Sequence, residues 1–401
     1  MNIKNFINNL FEQNYNFSII NNKTEKVKPL NNNYIKIFPE LDKNLEFIQS
    51  KYNTLINSDI VIREFETLAQ NQLYKSFIIY IDGLVDSISI NDFVLEPLMF
   101  PKRVRNPNPN NLLNYINNRL LPQNSVNKVE NFEDVCSGIN MGNCLLFIDT
   151  LNIAFDIDVK KYNSRGVDKP ENEVIIKGPQ ESFIENIRTN TSLLRKIVNN
   201  ENLVIENIPV GNISKTKCGV CYMKNIANSD LVGEVKFRLS NLSIDSLLST
   251  GQLEQLLEEE ETYGVPQLIS TERPDKCCKY LFQGRVIILV NGNPYALIAP
   301  ATIEDFLFSP EDTNLKPIFT NFLRAIRLIA AIITLLLPGL YIAVTSFHQE
   351  ILPTELLFSI LSARENVPFP MIFELLLMEF SFELIREAGL RVPSPIGSTI
   401  G

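Results

Sequence analysis

Five ionisable residues stand in an otherwise apolar run: Glu374, Glu379, Glu383, Arg386 and Glu387 interrupt Met371 to Ala388. At about 100 degrees per residue, Glu379, Glu383 and Glu387 share one arc with Arg386, and Glu374 lies nearly opposite Glu383. Carboxylates at membrane depth face a partner helix or a water-filled cavity, where they attract cations. The pattern equally fits a helix lying in the interface with its carboxylates in headgroup water. A second candidate is Cys218-x-x-Cys221, half of a zinc site or a redox pair, with Cys277-Cys278 as further ligands. The single histidine, His348, is remote in sequence, and no second CxxC completes a four-ligand set. CGVCYM therefore reads better as a β-strand with small buried cysteines, and neither metal nor cofactor is expected. The chain lacks a Gly-rich phosphate loop, GxSxG and HExxH, so an enzyme is not expected. Asp82 and Asp149 end apolar strands, where aspartate is more often a turn residue than a ligand contact.

The element that positions the acidic helix is Leu328 to Phe347, a charge-free stretch between Arg327 and His348. A helix of about twenty residues spans about 30 Å, the thickness of a bilayer's hydrocarbon core. The alternative is a buried core helix, although soluble helices of this length usually carry a polar face. Pro338-Gly339 predicts a kink in mid-span, with the lost hydrogen bonds made good by a neighbouring helix or by Thr334. Lys316, Arg324 and Arg327 precede the span, and His348, Glu350 and Glu355 follow it, which places the N-terminal side in the cytoplasm.

The 401 residues carry a net charge of -9, and no basic tract is interleaved with aromatics, so nucleic acid is not an expected partner. A flexible arm is expected over 1–33, then two soluble α/β subdomains over 34–170 and 171–315, and a partial membrane domain over 316–401. Strands are read at Ile60 to Ile62, Ser76 to Ile81, Cys144 to Ile148 and Cys218 to Met223. Helices are read at Leu41 to Ile56, Asn91 to Met99, Gln180 to Val198, near Asp230 to Leu239 and near Asp245 to Glu261. Arg285 to Val290, the turn Asn291-Gly292 and Tyr295 to Ala299 form a hairpin. Breaker clusters at 106–109 and 162–179 mark a surface loop and the subdomain boundary.

Several stretches together resemble the A subunit of GerA-type nutrient germinant receptors. They are YIDGLVD (Tyr80 to Asp86), GPQESFIENIRTNTSLLRK (Gly178 to Lys196), TERPD (Thr271 to Asp275), GRVIILVNGNPYALIAPATIEDFLFSPED (Gly284 to Asp312) and PFPMIFELLLMEFSFELIREAGLRVPSPIG (Pro368 to Gly397). The resemblance implies a two-part α/β cytosolic domain followed by an α-helical membrane domain in the spore inner membrane. It also implies a transporter-like B subunit and a lipoprotein C subunit as partners. That family continues past Gly397 with further hydrophobic helices, so the resemblance implies a fragment or a truncated product. The expected function is a subunit coupling nutrient sensing to ion release, oligomeric through its membrane helices because one span cannot enclose a pathway. The alternative is a non-conducting scaffold that anchors a cytosolic binding domain to the lipid bilayer. Arg188 and Asn190 in ENIRTN, and Arg273 and Asp275 in TERPD, are candidates for holding the subdomains together or meeting a partner. Helix capping and local ion pairing account for them equally well.

Overall fold

The computed structural model describes residues 35–70, 72–101, 112–123, 125–161, 170, 173, 175, 177–258, 266–365 and 368–391. The expected arm over 1–33, the loop at 106–109, most of the 162–179 cluster, the acidic run at 259–261 and the motif's end past 391 lie outside these residues. The chain divides into a unit of 16–314 and a second unit made of 1–15 with 315–401.

Within the first unit, apolar alternation produces two five-stranded sheets. The first contains β1 (Ile60–Ala69), β2 (Gln72–Ile81), β3 (Val126–Val129), β4 (Cys144–Ile148) and β5 (Ala154–Ile157), in the order β1-β2-β4-β5-β3. Successive residues of β2 and β4 point to opposite faces, as strand geometry requires, and both faces are covered. Phe77, Ile79, Leu145 and Phe147 pack under α1 (Leu41–Tyr52) and α2 (Phe132–Asn140). Ile78, Cys144 and Leu146 pack under the helical turns of 87–99 and 112–120. Phe77 and Phe147 are register partners whose rings stack at 4.7 Å.

The second sheet contains β6 (Leu203–Val210), β7 (Thr216–Met223), β8 (Ile269–Thr271), β9 (Val286–Val290) and β10 (Ala296–Ala299), in the order β6-β7-β9-β10-β8. One face lies under α3 (Ile187–Val198) and α6 (Pro274–Leu281), the other under α4 (Ser229–Asn241) and α5 (Thr250–Leu257). The expected hairpin is present, with Gly292 at φ +89 in its turn.

The expected alternation of strands and helices holds only coarsely, and among the described residues every strand pair is antiparallel. Short links join β1 to β2, β6 to β7 and β9 to β10, and a short reversal can join only antiparallel neighbours. Several boundaries also move. β1 runs on to Ala69 because it pairs with β2 over its whole length. α3 begins at Ile187, seven residues later than its apolar spacing suggests, because the Asn186 side chain accepts from the Arg188 and Thr189 amides.

The two sheets have one topology, since the strand order of the second is that of the first shifted by five. The likeness extends to single side chains. Asn44 in α1 accepts from the Phe38 amide at 2.9 Å and donates to the Phe38 carbonyl at 2.6 Å. Asn190 in α3 does the same to Ile184, at 2.9 and 2.5 Å. Both helices then end in a left-handed asparagine, Asn53 at φ 47 and Asn199 at φ 41.

In the second unit, α7 (Pro317–Ile342) continues through a π-helical turn at Ala343–Phe347. It is the one helix among the described residues that is long and apolar enough to cross a membrane, and almost none of its apolar stretch is buried. Pro338 lies inside the helix. The Thr334 hydroxyl donates to the Ala330 carbonyl at 2.8 Å, one turn back, and so does not supply the proton that Pro338 lacks. α8 (Thr354–Arg364) is too short to cross, and α9 (Met371–Arg391) follows.

Candidate functional site

The seam between the two subdomains of the first unit is where two of the motif stretches meet. Helical spacing places Arg188 and Arg195, seven residues apart, on the same side of α3. Arg195 is 1% exposed and forms a fork on Asp59 of the other subdomain, with Nε to Oδ2 at 2.7 Å and Nη2 to Oδ1 at 2.9 Å. Its Nη2 also reaches Asn57 Oδ1 at 3.3 Å. That Asn57 oxygen accepts from the Ile205 amide at 2.7 Å, and the Ser58 amide donates to the Ile205 carbonyl at 2.9 Å. Segment 57–59 thus covers part of the edge of β6, satisfying backbone groups that an edge strand leaves open.

Arg188 pairs with Asp82, in YIDGLVD, at the more exposed end of the seam. Beside it Gly83 has φ +94, and a Cβ there would lie 3.2 Å from Ser192 Cβ and 3.3 Å from the Arg188 carbonyl. Glycine supplies both the left-handed backbone and the close approach. A cavity of about 340 Å³ adjoins this contact, lined by Gly83, Asp86, Lys161, Asn186, Arg188 and Thr189 among others. Lys161 pairs with Asp86 at 3.1 Å. Hydrogen bonds from Ser89 and then Lys161 hold the Asp86 carboxyl below its usual range. An anionic ligand would compete there with Asp82 or Asp86 for a cation. Lys51 and Glu201 pair across the seam at 3.0 Å, and Lys224 donates to Asn53 at 2.6 Å.

TERPD has a different task. Arg273 is fully buried and grips Asp275 through Nε and Nη2 at 3.1 and 2.9 Å, and the Glu173 and Pro179 carbonyls at 2.9 and 2.8 Å. Both carbonyls belong to the connector between the subdomains. Of the four polar candidates, Arg188 bridges the subdomains, Asn190 staples its own helix entry, and Arg273 with Asp275 holds the connector. Arg195, Asp59 and Asn57 carry the buried seam but were not among the sequence candidates. The seven-residue spacing of Arg188 and Arg195 was the available signal.

Where the chain leaves the second sheet, Asp305 accepts from Arg285 at 2.6 Å, Tyr280 at 2.9 Å and the Thr302 amide at 2.7 Å. Burial acts to raise the Asp305 pKa, but the hydrogen bonds from Arg285 and Thr302 outweigh it and hold the carboxyl below its ordinary value of 3.8. Such a group stabilises the fold fully above the unfolded-state value, and the contribution is lost as pH falls through the lower folded-state value. Asp305→Asn is therefore expected to flatten the fall in denaturant midpoint between about pH 5 and pH 2. An unchanged pH profile would contradict the assignment.

The six cysteines are free thiols and all are buried. Cys218 and Cys221 do lie on a strand, β7, and pack in different cores on opposite faces of the sheet, so the pair cannot close on one ion. Burial pushes the Cys218 and Cys278 thiols up to about 12. Among the described residues, no cluster of three or more metal-ligating side chains occurs.

In the second unit, Glu374 pairs with Arg364 of α8 at 3.1 Å, and Arg386 pairs with Glu383 within α9. Met371 packs its sulfur on Thr345 and Ser346, past Pro338 and Gly339 on the long helix. From Ile372 to Gly389, α9 carries no buried residue.

A unit of two antiparallel sheets is thus followed in the chain by a long apolar helix and by a helix carrying Glu374, Glu379, Glu383 and Glu387. Residues 46–401 match the family model described as Bacillus/Clostridium GerA spore germination protein, and the chain belongs to that family. It is 35% identical over 376 residues to spore germination protein KA of Bacillus subtilis (strain 168), covering 94% of this chain and 67% of that one. To spore germination protein B1 of the same organism it is 38% identical over 367 residues, covering 92% and 74%. Among solved structures, it resembles the N-terminal domain of the A subunit of the Bacillus megaterium spore germinant receptor GerK3. The identity there is 32% and the TM-score 0.53, covering 67% of this chain and 98% of that one.

Proposed function

We propose that this chain is a membrane subunit of a spore nutrient germinant receptor complex, coupling germinant sensing to ion release as an oligomeric, channel-type subunit. The observation that carries the reading is the pair of helices α7 and α9. One is apolar and almost wholly uncovered, and the other is uncovered from Ile372 to Gly389 and carries carboxylates along its length. Uncovered apolar helices of this length require lipid or other helices around them, and carboxylates among them require a partner or water. Several copies, with a transporter-like B subunit and a lipoprotein C subunit, would supply both. Lys316, Arg324 and Arg327 ahead of the span support a cytoplasmic side for the two-sheet unit, and membership of the germination family supports the spore inner membrane as its site. In this arrangement Glu379 and Glu383 attract cations, Glu374 is held by Arg364, and Arg386, which pairs with Glu383 in the single chain, turns to a neighbouring helix in the assembly. Pro338 and Gly339 give the span its point of flexure.

The test replaces Glu379 and Glu383 by glutamine, in this chain and at the matching positions of a longer relative, and follows ion release from spores by conductivity. A loss of at least about tenfold in release rate is the expected result, as for removal of a charged ring from a cation path. Unchanged release and germination would overturn the conducting role and leave the membrane helices as an anchor.

A further inference from the structure

The two subdomains share one topology, so α2 and α6 occupy the same place in each, ahead of the last two strands. Their entries differ in chemistry. α2 is capped in the ordinary way, Asn131 accepting from the Asp134 amide at 2.8 Å. At the entry of α6 stands Arg273, whose side chain makes no cap and reaches out to the connector carbonyls of Glu173 and Pro179. Lys276, one turn on, pairs with the Glu173 carboxylate at 2.5 Å, and Thr271 donates to that same carboxylate. The other end of α6 holds the exit segment: Tyr280 donates to Asp305 at 2.9 Å, and Lys279 lies over the Phe308 ring at 5.9 Å. Arg285 completes that hold with a two-pronged contact to Asp305.

Connector and exit also meet each other. A Cβ on Gly178 would lie 3.0 Å from Asn314 Nδ2, at the last residue before the chain passes toward α7. Between its two grips α6 spans only eight residues, and Cys277, Cys278, Tyr280 and Leu281 are buried in the core. A short helix fixed in a close-packed core transmits displacement instead of absorbing it.

We propose that α6 is a clamp that ties the inter-subdomain connector to the exit segment, so that a shift of one subdomain against the other is delivered to Asn314. The proposal rests on the receptor reading for its purpose, but its physical content is a coupling free energy between two segments of one unit. Such coupling is reciprocal: loosening either end loosens the other.

The test is hydrogen exchange on the whole chain in detergent micelles. Lys276→Met weakens the hold on Glu173 at the connector end, and Asp305→Asn weakens the exit end. Loss of one charged hydrogen bond is expected to speed local exchange about tenfold. For Lys276→Met, the increase is expected at amides 302–314 as well as at the hydrogen-bonded connector amides of Glu173 and Phe183. For Asp305→Asn it is expected at the Glu173 and Phe183 amides as well as at 302–314, with Val286–Val290 protected throughout. Lys43→Ala, which breaks an exposed pair with Glu40, is expected to change neither. Increases confined to the mutated end in either variant overturn the clamp. If Lys276→Met loses protection in β9 by misfolding, the Asp305→Asn arm decides alone. Neither arm involves germination or ion release, so failure here leaves the receptor reading standing, and failure of the glutamate test leaves the clamp standing.

Discussion

Arg195→Ala is expected to destabilise the two-sheet unit by about 3–5 kcal/mol, because it leaves Asp59 charged, buried and without its fork. Arg195 and Asp59 have side chains 1% and 8% exposed. Asn57 loses a donor as well, and that asparagine organises the Ile205 edge. The companion experiment separates the cost of an orphaned charge from the worth of the pair. Arg195→Met with Asp59→Leu removes both charges and is expected to recover most of the loss, since apolar replacements of buried ion pairs are often neutral or better. Urea unfolding of the three proteins gives the comparison. A single variant within about 1 kcal/mol of the parent, the range of a surface pair, would remove Arg195 from its place as the anchor of the seam.

Arg273→Ala is the second large effect, expected at about 2–4 kcal/mol. The side chain is fully buried, and its removal strands two connector carbonyls and takes both hydrogen bonds from the Asp275 carboxylate. Arg273→Lys is not a conservative remedy, because an ammonium cannot reproduce a planar fork that holds two carbonyls and a carboxylate together. Both variants are therefore expected to lower the unfolding midpoint, with lysine recovering less than half of the loss. Full recovery by lysine would mean that charge alone matters at this position. A loss spread evenly over the chain in protease cleavage, with no preference for the connector, would contradict the local role.

What was legible in the sequence follows a physical line. CGVCYM, SFIIYI, CLLFI and RVIILV were readable because buried central strands are continuous apolar runs, and the Asn-Gly hairpin because its turn demands those residues. β6 was not legible: LVIENIPV carries Glu206, Asn207 and Pro209, as befits an edge strand that meets other chain segments. The duplicated topology was also hidden, although Asn44 and Asn190 sit at the same place in matching helices and an asparagine closes each. Sequence periodicity reports what faces a core, and these asparagines face their own backbone. The seam was invisible for a third reason. Asp59 and Arg195 lie 136 positions apart, and nothing local distinguishes a buried, paired arginine from a solvated one. Arg188 and Arg273 were picked out by motif, and the structure gives them separate tasks, one across the seam and one at the connector.

The placement of the six thiols has a consequence for time rather than for shape. Thiol reagents attack the thiolate, and here burial keeps every sulfur both covered and protonated at neutral pH. In the intact fold the sulfurs are slow to react, least so Cys136 at 9% exposure, and each is freed when the core around it opens. The chain thus carries its own stopwatch: the pace at which a reagent consumes its sulfurs counts openings of the two cores, one subdomain timed by Cys136 and Cys144, the other by the remaining four.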